Sequence, residues 1–202
     1  MSSKRQFEQE TIENFSKKVK WDRANMLKGT IRQSPLLRDH IKMTGPLAHP
    51  TSLKYFWQIA ELIQRYRNDG ILVPLLKLDS FRIVTIDGKD KLAISTRIAI
   101  KSTKKFHERD IFSDLKGYIP PEYFRDKLLS IEMVNLWCLG IIGHELFTGS
   151  FPFDFGSKYV FTLDRLRPIN PEISEIIIDL LNQDPLKRPS LDELCARLKS
   201  LL

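Results

Sequence analysis

The sequence has 202 residues, enough for one compact domain with an extension. Apolar residues make up 42% of the chain and charged residues 28%, the ordinary balance of a soluble globular protein. No apolar run is long enough to span a bilayer, and the first residues lack the apolar segment of a signal peptide. We therefore expect a cytoplasmic or nuclear protein with no membrane contact.

The net charge of +7 is concentrated in two segments. Residues 1–34 hold eight Lys and Arg against four Asp and Glu, and residues 97–110 hold five against two. Such segments are typical of solvated tails and loops, but also of surfaces that bind acidic partners. A nucleic-acid-associated protein that uses these two segments is therefore one interpretation, which charge alone supports.

Residues 1–34 predict a basic N-terminal extension with one amphipathic helix. Phe7, Phe15 and Val19 fall on one face at helical spacing, and the opposite face is polar. An isolated helix of this kind needs a surface against which to bury its apolar stripe. We therefore take these three residues as part of a candidate interaction surface.

Residues 35–202 predict a separate, mainly helical domain with one small β-hairpin. The predicted elements, in chain order, are a short helix that ends at Gly45, a helix over 51–68, a hairpin of 83–86 and 91–94 around Asp87-Gly88, and helices over 131–148, 173–181 and 191–202. The 131–148 helix is apolar on nearly every side, so it is expected to be buried. Ser190 and Glu193 form a predicted capping box, and Cys138 and Cys195 are interpreted as reduced core thiols.

Four motifs of this second part resemble the C-terminal lobe (C-lobe) of a protein kinase, and their order and spacing match. They are Gly-Tyr-Ile-Pro-Pro-Glu-Tyr at 117–123, Asn-Leu-Trp-Cys-Leu-Gly at 135–140, Glu-Leu-Phe-Thr-Gly-Ser-Phe-Pro-Phe at 145–153 and Asp-Pro-Leu-Lys-Arg-Pro-Ser at 184–190. The Phe-Trp-Gln at 56–58 is similar to PIM-type serine/threonine kinases. The resemblance covers residues 35–202 and implies a kinase C-lobe-like helical domain that lacks the N-terminal lobe (N-lobe), because 34 preceding residues are too few to build one.

The sequence departs from the family at the positions that the resemblance assigns to phosphoryl transfer. Leu75 stands in place of the aspartate that receives the hydroxyl proton, and Ser80 in place of a metal-binding asparagine. Ile94 replaces the magnesium aspartate, and an aliphatic side chain offers no oxygen to a hard cation. The triplet Asp154-Phe155-Gly156 has the letters of the magnesium motif, but it follows Ile94 by 60 residues and is interpreted as a coincidence. We therefore expect no bound ATP or Mg²⁺, no other cofactor or metal, and no enzyme activity.

The positions that hold the family's scaffold together are retained. The resemblance implies that Glu122 and Arg188 form a buried ion pair, which ties the end of the activation segment to the last helices. Asn135 replaces a helix aspartate that steadies the catalytic-loop backbone, and an asparagine can still accept one such hydrogen bond. The residues that hold the fold together are retained, whereas those of catalysis and metal binding are replaced. This contrast indicates that the fold, and not catalysis, has been selected.

The sequence thus predicts a catalytically inactive, C-lobe-only pseudokinase that serves as a protein-binding scaffold or regulator, for instance of an active kinase. Without an N-lobe, apolar residues near the upper face of the lobe would be exposed and would need a cover. Leu72, Val73 and Leu76 therefore complete the candidate interaction surface. The alternatives are nucleic-acid association and a residual phosphotransfer activity that a partner completes.

Overall fold

The computed structural model describes residues 33–71, 73, 76–86, 88–95, 117–124, 130–153, 163–166 and 168–202. The chain divides into two compact units, residues 1–34 and 35–202, and the following account concerns the second. Several predictions lie outside the described residues: the helix with Phe7, Phe15 and Val19, the basic loop at 97–110, the residues Leu72 and Leu75, and the triplet at 154–156.

The described part of the second unit contains five helices and one antiparallel hairpin. They are α1 (Leu37–Thr44), α2 (His49–Asn68), β1 (Phe81–Ile86), β2 (Lys89–Ile94), α3 (Ile131–Thr148), α4 (Pro171–Leu180) and α5 (Leu191–Ser200), with short 3₁₀ turns at Leu78–Ser80, Pro121–Phe124, Leu163–Leu166 and Pro185–Lys187. The predicted fold class, mainly helical with one small hairpin, is confirmed. No described helix is both long enough and apolar enough to cross a membrane.

Helix α3 is the centre of the core. Every residue from 134 to 147 is buried, as its apolar sequence predicted. Two of its glycines allow neighbouring helices to approach closely. A Cβ at Gly140 would lie 2.8 Å from Leu181 Cγ, and a Cβ at Gly143 would lie 2.7 Å from Phe56 Cζ. The absence of side chains at these two positions therefore fixes how α2 and the end of α4 pack on α3.

The element boundaries differ from the prediction by up to two residues. Helix α4 begins at Pro171 because the Asn170 side chain accepts hydrogen bonds from the first backbone N–H groups, and a proline is tolerated in the first turn. The hairpin is longer than predicted, since it pairs Phe81 with Ile94 at one end. Three of the four added residues, Arg82, Lys89 and Asp90, are charged, so the apolar pattern alone underestimated its length.

Two local predictions in this unit are confirmed. Ser190 and Glu193 form the capping box that starts α5. Cys138 and Cys195 are free and buried, and burial raises the pKa of the Cys138 thiol to about 12 and that of the Cys195 thiol to about 11. Both thiols therefore stay protonated at neutral pH, as core residues do.

Candidate functional site

The 3₁₀ turn at Pro121–Phe124 is tied to the segment before α5 by a buried, two-pronged ion pair. Arg188 Nη1 donates to Glu122 Oε1 at 2.6 Å, and Nη2 donates to Oε2 at 2.7 Å. The remaining donors reach backbone carbonyls of Met133 and Asn182, each at 3.0 Å. The guanidinium also lies over the Trp137 ring, 5.0 Å from its centroid.

This pair has the geometry in which a buried charge is well compensated. The two side chains are 0% and 4% exposed. Each carboxylate oxygen receives a hydrogen bond, and the guanidinium donates in several directions at once. Loss of one partner would leave the other charge alone in the core, at a cost of about 3–5 kcal/mol.

A second charged cluster fastens the same segment at its other end. Arg38 of α1 donates from Nε to Asp79 Oδ2 at 2.9 Å and from Nη1 to Glu145 Oε1 at 3.0 Å. Its Nη2 lies 2.8 Å from the Tyr118 hydroxyl, which itself donates to Glu145. Arg38 therefore joins α1, the loop before β1, the 117–124 segment and the end of α3.

The surroundings of this second cluster raise the pKa of Tyr118 and of Glu145. Burial raises the pKa of Tyr118 well above its ordinary value, and the Glu145 carboxylate beside it acts in the same direction. Burial also raises the pKa of Glu145, while the nearby Arg38 guanidinium limits that rise. Sequence reasoning missed this cluster, because no motif or helical spacing connects residues 38, 79, 118 and 145.

The prediction that Val73 and Leu76 belong to an interaction surface is wrong. Val73 is 2% and Leu76 0% exposed, and both belong to the same core cluster as the side chains of α3. Ile94, at the position of the family's magnesium aspartate, is also buried. Apolar side chains on a loop are buried wherever the chain can fold them inward, because removal of their surface from water is favourable.

Asn135 forms a hydrogen bond with the loop between α2 and β1. It donates this bond, whereas it was expected to accept one. Its Nδ2 donates to the Val73 carbonyl at 2.8 Å, so the side chain does not accept a bond from the loop. The next residue in the sequence is Pro74, which has no N–H, so the peptide after Val73 offers only an acceptor. Within the described part of the chain, Asn135 Oδ1 is buried and has no hydrogen-bond partner.

The described residues at the two family metal positions do not fit a magnesium ion. The Ser80 hydroxyl is buried and accepts a hydrogen bond from the Lys77 N–H at 3.0 Å. Ile94 offers only carbon atoms, whereas magnesium is held by oxygen ligands. Among the described residues, no three His, Cys, Asp or Glu side chains are grouped as a metal site requires.

Comparison with known proteins finds sequence similarity to protein kinases. No family model matches the chain. An Aurora kinase of Schizosaccharomyces pombe is 25% identical over 166 residues, which cover 78% of this chain and 45% of that protein. Testis-specific serine/threonine-protein kinase 5 of Mus musculus is 27% identical over 152 residues, 71% of this chain and 40% of the relative. Serine/threonine-protein kinase pim-2 of Danio rerio is 22% identical over 163 residues, 78% of this chain and 50% of the relative.

The fold agrees with these relatives. A crystal structure of the Rad53 kinase domain and SCD2 has a TM-score of 0.65 at 22% identity, and the match covers 82% of this chain and 64% of that one. The chain is therefore similar in sequence to protein kinases and shares the fold of part of a kinase domain. The predicted resemblance to the kinase C-lobe is therefore confirmed, and the chain spans half or less of the length of the three curated relatives.

The similarity to named kinases corrects one prediction. The chain was expected not to be an enzyme, because Leu75, Ser80 and Ile94 stand at positions of the family's chemistry. Its relatives are named as kinases, two of the three as serine/threonine kinases, and kinases are enzymes, so this expectation is contradicted.

Proposed function

We propose that this kinase-like lobe acts by binding another protein, as a scaffold or regulator. The observation that supports the proposal most strongly is the way residues 117–124 are held. Glu122 and Tyr118 fasten this short segment through one buried and one partly buried charged cluster, and its Phe124 side chain is 66% exposed. An exposed aromatic side chain on a rigid turn loses little conformational entropy on binding, as is typical of interface hot spots.

A second exposed apolar side chain lies next to the Glu122–Arg188 ion pair in the sequence. Leu186 is 86% exposed and lies in the 3₁₀ turn that directly precedes Arg188. The Glu122–Arg188 pair therefore holds together the two turns that carry Phe124 and Leu186. We call these two side chains the anchored surface, and we propose that a protein partner covers them.

The test is capture of partners from cells by the full chain and its variants. Phe124→Ser and Leu186→Ser remove the anchored surface, and Met43→Ser is the matched control, because Met43 is 86% exposed on α1. Loss of a hot-spot side chain costs about 2 kcal/mol or more, so we expect Phe124→Ser to reduce recovery of a specific partner by at least about tenfold. Met43→Ser should leave recovery unchanged. Equal recovery with all three variants would reject the anchored surface.

The extension can be tested in the same experiment. Partner capture by residues 35–202 is compared with capture by the full chain. A partner that binds the predicted surface of Phe7, Phe15 and Val19 should be lost when the extension is removed. A partner that binds the anchored surface should be retained.

The cytoplasmic or nuclear location stays a prediction, as does the nucleic-acid alternative, which depends on residues 1–34 and 97–110.

Serine/threonine phosphotransfer is the second candidate function, and the names of the relatives favour it. Lys77 stands at the position of the family's catalytic-loop lysine and is partly exposed. Incubation of the full chain with labelled ATP, Mg²⁺ and a serine- and threonine-containing protein should then give label incorporation above a heat-denatured control. Lys77→Ala should abolish that incorporation. Incorporation at the level of the denatured control would remove this candidate and leave the binding proposal untouched.

A further inference from the structure

A pocket of about 50 Å³ lies where the end of α2 and the loop after it meet the first half of α3 and the first residue of α5. None of its described lining residues belongs to the anchored surface. Its floor is buried and, apart from Asn135, aliphatic, with side chains from Ile63, Val73, Leu136, Leu139 and Leu191. A water-sized group needs roughly 10–15 Å³ of such space, so the pocket has room for about four such groups. This is the size of a leucine or isoleucine side chain.

The rim of the pocket is partly exposed, so the pocket opens to the protein surface. Ile71 and Ile131 supply aliphatic side chains to this rim, and Arg67 and Glu132 supply charged ones. An apolar pocket inside a polar rim is the arrangement that receives an anchoring side chain at protein–protein interfaces. An aliphatic side chain that enters the pocket would leave water, which favours binding.

The charges at the rim are negative in excess. Arg67 Nη1 lies 3.1 Å from Glu132 Oε1, and Arg67 Nη2 lies 2.6 Å from Asp192 Oδ1. Hydrogen bonds from Gln64 and Arg67 lower the pKa of Asp192, so this carboxylate is ionised at neutral pH. Two carboxylates therefore share one guanidinium, and their side chains are 43% and 62% exposed. Among the described residues these bonds use one oxygen of each carboxylate, which leaves Glu132 Oε2 and Asp192 Oδ2 to accept from a cation.

We propose that this pocket binds a segment of a partner protein in which a leucine or isoleucine enters the pocket and a neighbouring lysine or arginine pairs with Glu132 and Asp192. The site does not depend on the Phe124 and Leu186 side chains, so it holds whether or not the anchored surface binds a partner. A nucleic acid fits it poorly, because phosphates would meet two carboxylates. No aromatic side chain on which a base could stack is among the described lining residues.

Three peptides test the pocket and its rim separately. The ¹⁵N-labelled full chain is titrated with acetylated and amidated Gly-Lys-Leu-Arg-Gly, with Gly-Lys-Ala-Arg-Gly and with the charge-reversed Gly-Glu-Leu-Glu-Gly. We expect the first peptide to shift the backbone amides of Ile71, Ile131 and Leu191 saturably, with a dissociation constant on the order of 1 mM. The alanine peptide should bind at least about tenfold more weakly, because it loses the buried side chain. The charge-reversed peptide should also bind more weakly, by a factor that shrinks at high salt because salt screens exposed charges.

Three outcomes of this titration would overturn the proposal. Equal constants for the leucine and alanine peptides would show that no side chain enters the pocket. Equal constants for the basic and acidic peptides at low salt would show that the rim carboxylates do not select a cation. Shifts confined to the neighbourhood of Phe124, or shifts that stay linear in the concentration of the leucine peptide, would show that the pocket does not bind it.

A charge-reversal variant identifies the contact at the rim. Glu132→Lys should weaken the basic peptide at least about fivefold and strengthen the acidic one, because it replaces an attraction by a repulsion for the first and the reverse for the second. Glu175→Lys is the matched control, because Glu175 is 68% exposed on α4 and does not line the pocket. The control should bind all three peptides as the wild type does. An unchanged preference in Glu132→Lys would refute the charge contact.

A filling variant identifies the pocket itself. Ile71→Phe enlarges a side chain of the rim, and we expect it to weaken the leucine peptide at least about tenfold. Ile178→Phe makes the same change on the exposed side of α4 and should leave the affinity unchanged. If Ile71→Phe does not fold, Ile131→Phe serves instead, because Ile131 is also partly exposed at the rim. Unchanged affinity in the folded filling variant would place the leucine elsewhere and refute the site.

Discussion

The segment at residues 117–124 and the loop between α2 and β1 are both held against α3, but by different interactions. The segment is fastened by two charged clusters, around Arg188 and around Arg38. The part of the loop around Val73 and Leu76 is fastened by these two buried side chains and by a neutral hydrogen bond from Asn135, and only its end at Asp79 shares the Arg38 cluster. The segment is therefore fixed in direction by many donors and acceptors, whereas the loop is fixed mainly by burial of apolar surface.

Because they are held differently, the segment and the loop expose different side chains to a partner. Charged hydrogen bonds need particular angles, so they leave the exposed side of the segment in one arrangement with Phe124 outward. Val73 and Leu76 of the loop are buried, so the loop does not present these two side chains. We therefore propose the segment, rather than the loop, as the surface that a protein partner covers.

The largest effect should come from the segment's ion pair. Arg188→Met leaves the Glu122 carboxylate buried without its partner, and we expect the free energy of unfolding to fall by about 3–5 kcal/mol. Chemical denaturation of the full chain measures this. The double variant Glu122→Leu with Arg188→Met removes both charges and should recover a substantial part of the loss. A single-variant loss below about 1 kcal/mol would mean that the pair does not anchor the segment.

Acid should weaken the end of α3 that carries the Arg38 cluster. Burial lowers the pKa of His144 from its ordinary 6.5 to about 4. Between these two values the unfolded chain binds a proton that the folded chain refuses, so stability falls as the pH drops from about 6.5 toward 4. The difference amounts to at most about 3 kcal/mol.

His144→Gln isolates the contribution of this histidine. Glu145, whose pKa is raised, takes up its proton more readily in the folded state and acts in the opposite direction. The variant should therefore lose the decline of stability between pH 6.5 and 4, as thermal unfolding across that range would show. An identical pH profile for variant and wild type would refute the contribution of His144.

The loop should be sensitive to the polarity of residue 135. Asn135→Asp replaces the donor toward the Val73 carbonyl with a carboxylate, and we expect a loss of about 1–3 kcal/mol at pH 7. Protonation of the new carboxyl restores a donor, so the loss should shrink in mild acid. Denaturation of wild type and variant at pH 7 and pH 4.5 compares the two, and equal losses at both pH values would contradict the account. An aspartate that stabilises the chain would show that the loop is held in another way.

The smallest effect should come from a helix cap outside both regions. Ser190 accepts a hydrogen bond from the Glu193 N–H, and Ser190→Ala should cost about 1 kcal/mol. Because the cap lies two residues from Arg188, partner recovery by Ser190→Ala also tests whether a modest local loss disturbs the anchored surface. We expect unfolding at lower denaturant with unchanged recovery. A fall in recovery would make the surface depend on α5 as well as on the ion pair.

The sequence predicted what depends on local pattern. Helices α2 and α3 follow from the spacing of apolar residues, and the partnership of Glu122 with Arg188 follows from the family motifs that carry them. The Arg38 cluster could not be predicted, because its members are far apart in sequence and meet only once the core has formed. Val73 and Leu76 were misplaced because an apolar sequence does not tell a buried loop from an exposed one.

The most direct test of the account is hydrogen exchange of the full chain with and without its captured partner. The account predicts slower exchange at residues 121–124 and 185–188 when the partner is bound, and unchanged exchange at residues 76–80. Phe124→Ser should remove this protection. Protection confined to the loop at 76–80, with the anchored surface unchanged, would contradict the account.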